Sequence, residues 1–138
     1  MRPVARPPTL GIIASLAYGI IAIAPYVFLE VDSTVIDVYY DVSLAGPQFL
    51  SLLAVVAFVL FAAGRQGRTE PDTVAGLTLV LGVVLTVLTL AWAVAVPTEL
   101  VLEGGDVTWF EYHRWVAVVV AALVPVAAAW YTRVLGLV

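Results

Sequence analysis

The sequence contains no cysteine and only one histidine among its 138 residues. The missing thiols exclude disulfides, thiolate metal sites and cysteine nucleophiles. The four serines would have to share the single histidine as a base, and no glycine-rich phosphate loop occurs, so no set of nucleophile, base and acid can be assembled. We therefore expect a protein that is not an enzyme and binds no cofactor.

Charged residues are also scarce. They make up 12% of the chain against 63% hydrophobic residues, and the mean hydropathy is +1.08. A soluble domain needs charged side chains over its exterior, so a bilayer is the expected solvent. Lysine is absent, and ten acids outnumber six arginines. The net charge of −4 indicates a salt-adapted exterior rather than a cationic partner, and no basic patch for nucleic acid exists.

Four apolar stretches are long enough to be transmembrane helices. About 20 apolar residues span the hydrocarbon core, and backbone groups in lipid must pair within their own segment. The predicted fold class is an all-α membrane protein, a four-transmembrane-helix bundle that forms a single membrane domain over residues 1–138. The predicted spans are residues 10–29, 48–63, 74–96 and 110–134, joined by an outer loop 30–47, an inner loop 64–73 and an outer loop 97–109.

The distribution of charge predicts the orientation. Five of the six arginines lie on one side of the spans, and eight of the ten acids lie on the other side with Arg114. The positive-inside rule makes the arginine-rich side cytoplasmic. We expect a multi-pass protein of the cell membrane with both termini cytoplasmic. An alternative interpretation takes Arg2, Arg6 and the apolar run ending in AIA (residues 22–24) as a signal peptide, but Pro25 is unfavourable just after a cleavage point.

The two predicted outer loops contain residues that favour strands. The sequence EVDSTVIDVYYDV (30–42) is rich in β-branched and aromatic residues, and a Gly-Gly pair (104–105) separates two runs of strand formers. We expect a small extracytoplasmic β-structure in these loops. A competing interpretation treats TWFE (108–111) as a capping box that opens the fourth helix. The loops also share a faint repeat, which duplication of a two-helix hairpin or convergent membrane-entry chemistry would explain.

The sequence WFEYHRW (109–115) is the strongest candidate site. One interpretation is a belt of interfacial anchors at the headgroup level, formed by Trp109, Tyr112 and Trp115. The other is an outer-face pocket for a cation, a quinone headgroup or a small solute. Its residues would be Glu99, Glu103, Glu111, His113 and Arg114. One histidine among irregularly spaced carboxylates is a weak metal motif, so the anchor interpretation is favoured and no metal site is predicted.

The predicted spans lack deep charged residues but contain small residues at helical spacing. Pumps and proton-coupled carriers usually keep an ionisable group in the membrane, so the sequence disfavours that class but not a pore formed by several copies. Two stripes of small residues are present: Gly11, Ser15 and Gly19, and Gly82, Thr86 and Thr89. Such stripes let helices approach closely in lipid, and packing within the bundle is favoured over homodimerisation. Pro125 should kink the last helix and free the carbonyl group of Ala121.

The chain resembles, over its whole length, small four-span membrane proteins of unknown function from haloarchaea. The likeness lies in the start RPVARPP, the arginine-only inner loops, the acidic outer loops and the final helix HRWVAVVVAALVPVAAAWY. It implies a lineage and a topology, with no catalytic residues to transfer. The architecture is also loosely similar to the claudin plan of four helices under a small outer sheet, although the cysteine pair and the Gly-Leu-Trp signature of that family are absent.

These observations favour a non-enzymatic scaffold or accessory subunit of a larger membrane assembly. Its partners would be the lipid bilayer and another membrane protein, with the acidic outer loops as the contact surface. Two alternatives stay open: an oligomeric transporter, channel or hydrophobic-ligand-binding protein, and a haem- or quinone-binding subunit. Homo-oligomerisation also stays open.

Overall fold

The computed structural model describes residues 2–28, 33–41, 46–96 and 108–137, without the side chains at 33, 35 and 108–111. Every regular element within these ranges is helical. A 3₁₀ turn at Pro3–Ala5 precedes five α-helices: α1 (Arg6–Phe28), α2 (Ser33–Tyr40), α3 (Pro47–Arg65), α4 (Pro71–Ala95) and α5 (Thr108–Val134). All except α2 are long and apolar enough to cross a membrane. This confirms the predicted all-helical fold with four apolar helices.

The four long helices form a closed ring. Helix α1 packs against α3 and α5, and α4 packs against the same two helices from the other side. The start of the chain, the α3–α4 turn and the end of α5 surround one cavity, so neighbouring helices run antiparallel. We call this the basic end, because it carries five arginines: Arg2, Arg6, Arg65, Arg68 and Arg133. The opposite end, which carries α2, is called the acidic end.

The outward faces of the long helices are apolar. Ile20, Leu52, Val80 and Val119, one from each helix, are 59%, 65%, 66% and 62% exposed. Soluble monomers rarely leave such extensive apolar surface in contact with water, whereas lipid solvates it readily. This is the surface expected of a multi-pass membrane protein.

Prolines and a glycine define the ends of α3 and α4. Pro47 and Pro71 lie in the first turns of these helices, where the missing N–H has no helical partner to lose. Between the two helices, Gly67 has a φ of +73°, a left-handed conformation that glycine adopts without a steric penalty. The backbone N–H of Arg68 then donates to the carbonyl oxygen of Ala63 at 2.9 Å, which closes a tight turn.

The first outer loop contains a helix where we predicted β-structure. In α2, Ile36, Tyr39 and Tyr40 are each at most 2% exposed and pack at the acidic end. Their spacing of i, i+3 and i+4 places them on one helical face. Burying that face against the bundle outweighs the strand propensity of its β-branched and aromatic residues. The β-prediction is therefore wrong for residues 33–40, while its second part, residues 97–107, lies outside the described residues.

Small residues bring the long helices together. A Cβ atom added to Gly11 would collide with the ring of Phe61, so this glycine brings α1 close to α3. A Cβ atom added to Gly82 would lie 2.7 Å from the backbone nitrogen of Pro125, which brings α4 close to α5. These two glycines pack inside the bundle, as predicted. Gly19 differs, because an added Cβ would meet nothing within 4 Å.

Candidate functional site

His113, the only histidine, is buried inside the bundle. It is 4% exposed and lies near the start of α5. Its Nε2 atom is 2.7 Å from the carbonyl oxygen of Ile21 in α1, and its Nδ1 atom is 3.0 Å from the hydroxyl oxygen of Tyr39 in α2. Because a carbonyl oxygen only accepts, Nε2 carries the proton, and the Tyr39 hydroxyl donates to Nδ1 of the neutral ring. His113 therefore connects three helices.

Pro25 explains why the carbonyl group of Ile21 needs this donor. Proline lacks the N–H group that would bind the carbonyl four residues earlier, and Pro25 lies inside α1. The side chain of His113 supplies the missing donor. The hydroxyl group of Tyr40 donates to the neighbouring carbonyl of Ala22 at 2.5 Å. Helix α1 is thus stabilised around its proline by side chains from α2 and α5.

Aromatic rings enclose these hydrogen bonds. The ring centroid of Trp92 lies 5.1 Å from that of Tyr39 and 6.3 Å from that of His113, both in edge-to-face geometry. The indole N–H of Trp92 donates to the carbonyl oxygen of Tyr39 at 2.8 Å. Burial raises the pKa of the Tyr39 and Tyr40 hydroxyls well above the ordinary value, so both stay protonated donors at neutral pH. We call Tyr39, Tyr40, Trp92 and His113 the aromatic cluster.

Arg114, the next residue, binds the end of α4 instead. Its Nη1 atom donates to the carbonyl oxygen of Val96 at 2.9 Å, where a cation also interacts favourably with the helix dipole. The guanidinium carbon lies 5.4 Å from the ring centroid of Trp115. The Nε atom is buried and has no hydrogen-bond partner within the described ranges.

The structure gives His113 and Arg114, two of the five predicted outer-pocket residues, separate roles. Glu99 and Glu103 lie outside the described residues, as does the side chain of Glu111. In the part of the chain that is described, no group of three residues that could hold a metal ion occurs. Both nitrogens of His113 hold hydrogen bonds, so a role as a haem ligand would require breaking one of them.

Two of the three predicted anchors lie on the exposed face of α5. Tyr112 and Trp115 are 60% and 42% exposed, while the side chain of Trp109 is outside the description. The sequence WFEYHRW therefore combines an outward face that suits the headgroup region with an inward histidine. The anchor role of the three aromatic residues stays a prediction.

A groove opens toward the bilayer between the acidic halves of α1 and α3. Its cavity volume is about 380 Å³, and its lining is mostly apolar: Ser15, Leu16, Gly19, Ile20, Ile23, Ser51, Ala54, Val55 and Phe58. Ser15 is 2% exposed, and its hydroxyl has no hydrogen-bond partner in the residues described. The hydroxyl of Ser51, by contrast, donates to the carbonyl oxygen of Gln48 at 2.7 Å. A polar group with unused hydrogen-bonding capacity is therefore buried in the wall of the groove.

The residues of these sites can be predicted from the sequence only in part. The stripe that includes Ser15 and Gly19 was predicted to pack within the bundle, and Gly19 does not. The aromatic cluster was missed, although the i, i+3, i+4 spacing in α2 and the position of Pro25 within an apolar span were visible signals. The aromatic cluster holds helices together, whereas the groove is open to the outside of the bundle.

Comparison with known proteins gives one positive result. No curated protein and no solved structure matches the sequence significantly. A family model matches residues 1–136, a range that includes all four apolar helices. The chain therefore belongs to the family of unknown function DUF7548.

Proposed function

We propose that the protein is a non-enzymatic accessory subunit of a larger membrane assembly, and that the groove between α1 and α3 binds a transmembrane helix of another membrane protein. Its basic end faces the cytoplasm, because the five arginines there follow the positive-inside rule. The observation that carries the proposal is the buried hydroxyl of Ser15, which has no partner in the described part of the chain.

The chemistry of the groove favours a helix over a lipid chain. A buried polar group without a hydrogen bond costs about 1–3 kcal/mol, and an acyl chain offers it neither a donor nor an acceptor. A neighbouring helix supplies backbone carbonyls and polar side chains. Gly19, one turn beyond Ser15, leaves open space in which a second backbone can approach closely.

Several other polar side chains of the bundle already have partners inside it. The hydroxyl groups of Tyr18 and Thr89 lie 2.8 Å apart in the core, and His113 binds both α1 and α2. These bonds join α1 to α2, α4 and α5 and stabilise a fixed bundle. This supports a subunit role over the transport alternative, which needs polar groups that can exchange partners.

Cross-linking in native membranes tests the proposal. The chain has no cysteine. A Gly19→Cys variant therefore provides a single thiol in the groove, to which a photoreactive cross-linker can be attached. We expect an adduct with one transmembrane protein. Val80→Cys, on the outward face of α4, is the matched control and should give no such adduct. The experiment is done at high salt, because the composition resembles that of salt-adapted membrane proteins.

Two other cross-linking results would contradict the proposal. Adducts with lipid alone at Gly19 would contradict the proposal. A disulfide between two copies of Gly19→Cys would identify a second copy of the chain as the occupant and contradict a different partner. A Gly19→Leu variant should lose the partner but keep its fold, because the added side chain points into open space.

A further inference from the structure

A second cavity lies at the basic end of the bundle. It has a volume of about 240 Å³ and is formed by the start of the chain, the α3–α4 turn and the end of α5. Its polar lining residues are Arg2, Arg65, Gln66 and Tyr131. None of these residues belongs to the aromatic cluster or to the groove between α1 and α3.

Tyr131 presents a hydroxyl group to this cavity. The residue is 1% exposed, it lines the cavity, and its hydroxyl makes no hydrogen bond to any described residue. The neighbouring residue is Gly64, where an added Cβ would lie 3.2 Å from the Tyr131 hydroxyl oxygen. Because glycine has no side chain, the hydroxyl stays uncovered. The cavity therefore contains a hydroxyl donor that a ligand can reach.

Two arginines border the same cavity. The Nε atom of Arg65 donates to the hydroxyl oxygen of Thr9 at 2.9 Å, which restricts the orientation of its guanidinium group. Arg2 lines the cavity from the start of the chain and is exposed. The basic end has five arginines and two acids, Glu70 and Asp72, so its net charge is 5 − 2 = +3. An anion is therefore the favoured ligand.

We propose that this cavity binds the phosphate group of an anionic phospholipid from the adjacent leaflet. Guanidinium groups and a phenol hydroxyl are suitable donors for phosphate oxygens. Pockets for whole small molecules have volumes of roughly 300–1,000 Å³, so a cavity of about 240 Å³ suits a headgroup better. The carboxylates of Glu70 and Asp72, at the start of α4, repel a multiply charged anion. A singly charged phosphodiester is therefore favoured over inorganic phosphate. Basic pockets between transmembrane helices commonly bind anionic headgroups in this way.

Lipid binding to the purified full-length protein tests this proposal. Native mass spectrometry in detergent would compare phosphatidylglycerol with phosphatidylcholine of the same acyl chains. We expect preferential binding of phosphatidylglycerol, weakened about tenfold by Arg2→Gln and by Tyr131→Phe, since each removes one donor to a charged group. Arg68→Gln is the matched control, because Arg68 is at the same end but does not line the cavity. Arg2 is exposed, so its substitution should not impair folding.

Three results would overturn the proposal. Equal binding of the two lipids would show that the phosphate-bearing anionic headgroup is not selected. Equal loss in Arg68→Gln and Arg2→Gln would show that overall charge, not the cavity, attracts the lipid. If inorganic phosphate raises the unfolding temperature in a manner that depends on Tyr131, while phosphatidylglycerol does not, the ligand is free phosphate and the lipid assignment is wrong.

Discussion

The hydroxyl oxygen of Thr86 lies 3.1 Å from the carbonyl oxygen of Ala121 and joins α4 to α5 in the middle of the bundle. Pro125, four residues after Ala121, lacks the N–H group that would otherwise bind this carbonyl. The same hydroxyl also lies 2.7 Å from the carbonyl oxygen of Gly82 in its own helix, so it shares one proton between two acceptors. A polar side chain from a neighbouring helix thus stabilises the proline-containing helix.

The acidic end repeats this arrangement. There, His113 of α5 donates to the carbonyl oxygen of Ile21, four residues before Pro25 in α1. Both prolines that lie inside long helices are therefore accompanied by a donor from an adjacent helix. Since an unpaired carbonyl in lipid is costly, these two hydrogen bonds favour the observed register of α5 against α1 and α4.

Replacing Thr86 by valine should destabilise the bundle modestly. Hydrogen bonds between transmembrane helices contribute about 0.6–1.7 kcal/mol, and valine removes the donor while keeping the shape. Thr78→Val is the control, because the Thr78 hydroxyl bonds only carbonyls of its own helix. The measurement is the free energy of unfolding in detergent. In a Pro125→Ala background the Ala121 carbonyl regains a helical donor, so the cost of Thr86→Val should fall; an unchanged cost would contradict the assigned role.

Replacing Gly82 by alanine should also destabilise the protein. The new methyl group would lie 2.7 Å from the backbone nitrogen of Pro125, and such overpacking costs about 1–3 kcal/mol. Gly76→Ala in the same helix meets nothing within 4 Å and should instead stabilise by roughly 0.5–1 kcal/mol through helix propensity. Thermal unfolding of both variants gives the comparison. Similar melting temperatures would mean that α4 and α5 are not in this close contact.

Replacing His113 by phenylalanine should loosen the acidic end. The variant keeps a planar ring but leaves the carbonyl of Ile21 without its donor, at a cost of about 1–3 kcal/mol. Tyr112→Phe, on the exposed face of the same helix, should change the free energy of unfolding by less than about 0.5 kcal/mol. Chemical unfolding in detergent measures both variants. The hypothesis fails if the two variants are equally stable, or if Pro25→Ala does not reduce the effect of His113→Phe.

Alkaline pH should destabilise the aromatic cluster. Tyrosine hydroxyls in the unfolded chain lose their protons near pH 10, whereas burial raises the pKa of Tyr39 and Tyr40 in the folded protein. Above about pH 10 the folded state therefore holds more protons than the unfolded state, and the free energy of unfolding falls as pH rises. The slope is at most about 1.4 kcal/mol per pH unit for each tyrosine.

Unfolding midpoints measured from about pH 8 to pH 11 test this dependence. In the lower half of that range, the hydroxyls of Tyr39 and Tyr40 should change the midpoint little. Tyr40→Phe removes one of the two hydroxyls and should reduce the slope. Tyr112→Phe, which changes an exposed tyrosine on α5, is the matched control. An unaltered slope in Tyr40→Phe would show that another group causes the alkaline loss.

The sequence predicts local structure best where a single physical effect dominates. The hydrophobic length of each span predicts a transmembrane helix almost independently of the rest of the chain, and Pro125 frees the carbonyl of Ala121 by its covalent structure alone. The predicted β-structure is wrong for α2, because strand propensity and burial favour different structures there. Burial depends on neighbours that are far away in sequence. The resemblance to haloarchaeal proteins and the cytoplasmic location of both termini stay predictions.

Composition and local covalent geometry are sufficient to predict four apolar helices, a cluster of arginines at one end, and two prolines that interrupt helical hydrogen bonding. The packing of the helices reveals that His113 and Thr86 supply the missing donors, that Ser15 is buried beside an open groove, and that Tyr131 faces a basic cavity. The reason is that each of these contacts joins residues on different helices, whose relative rotation is fixed by packing and cannot be deduced from the periodicity of any single helix.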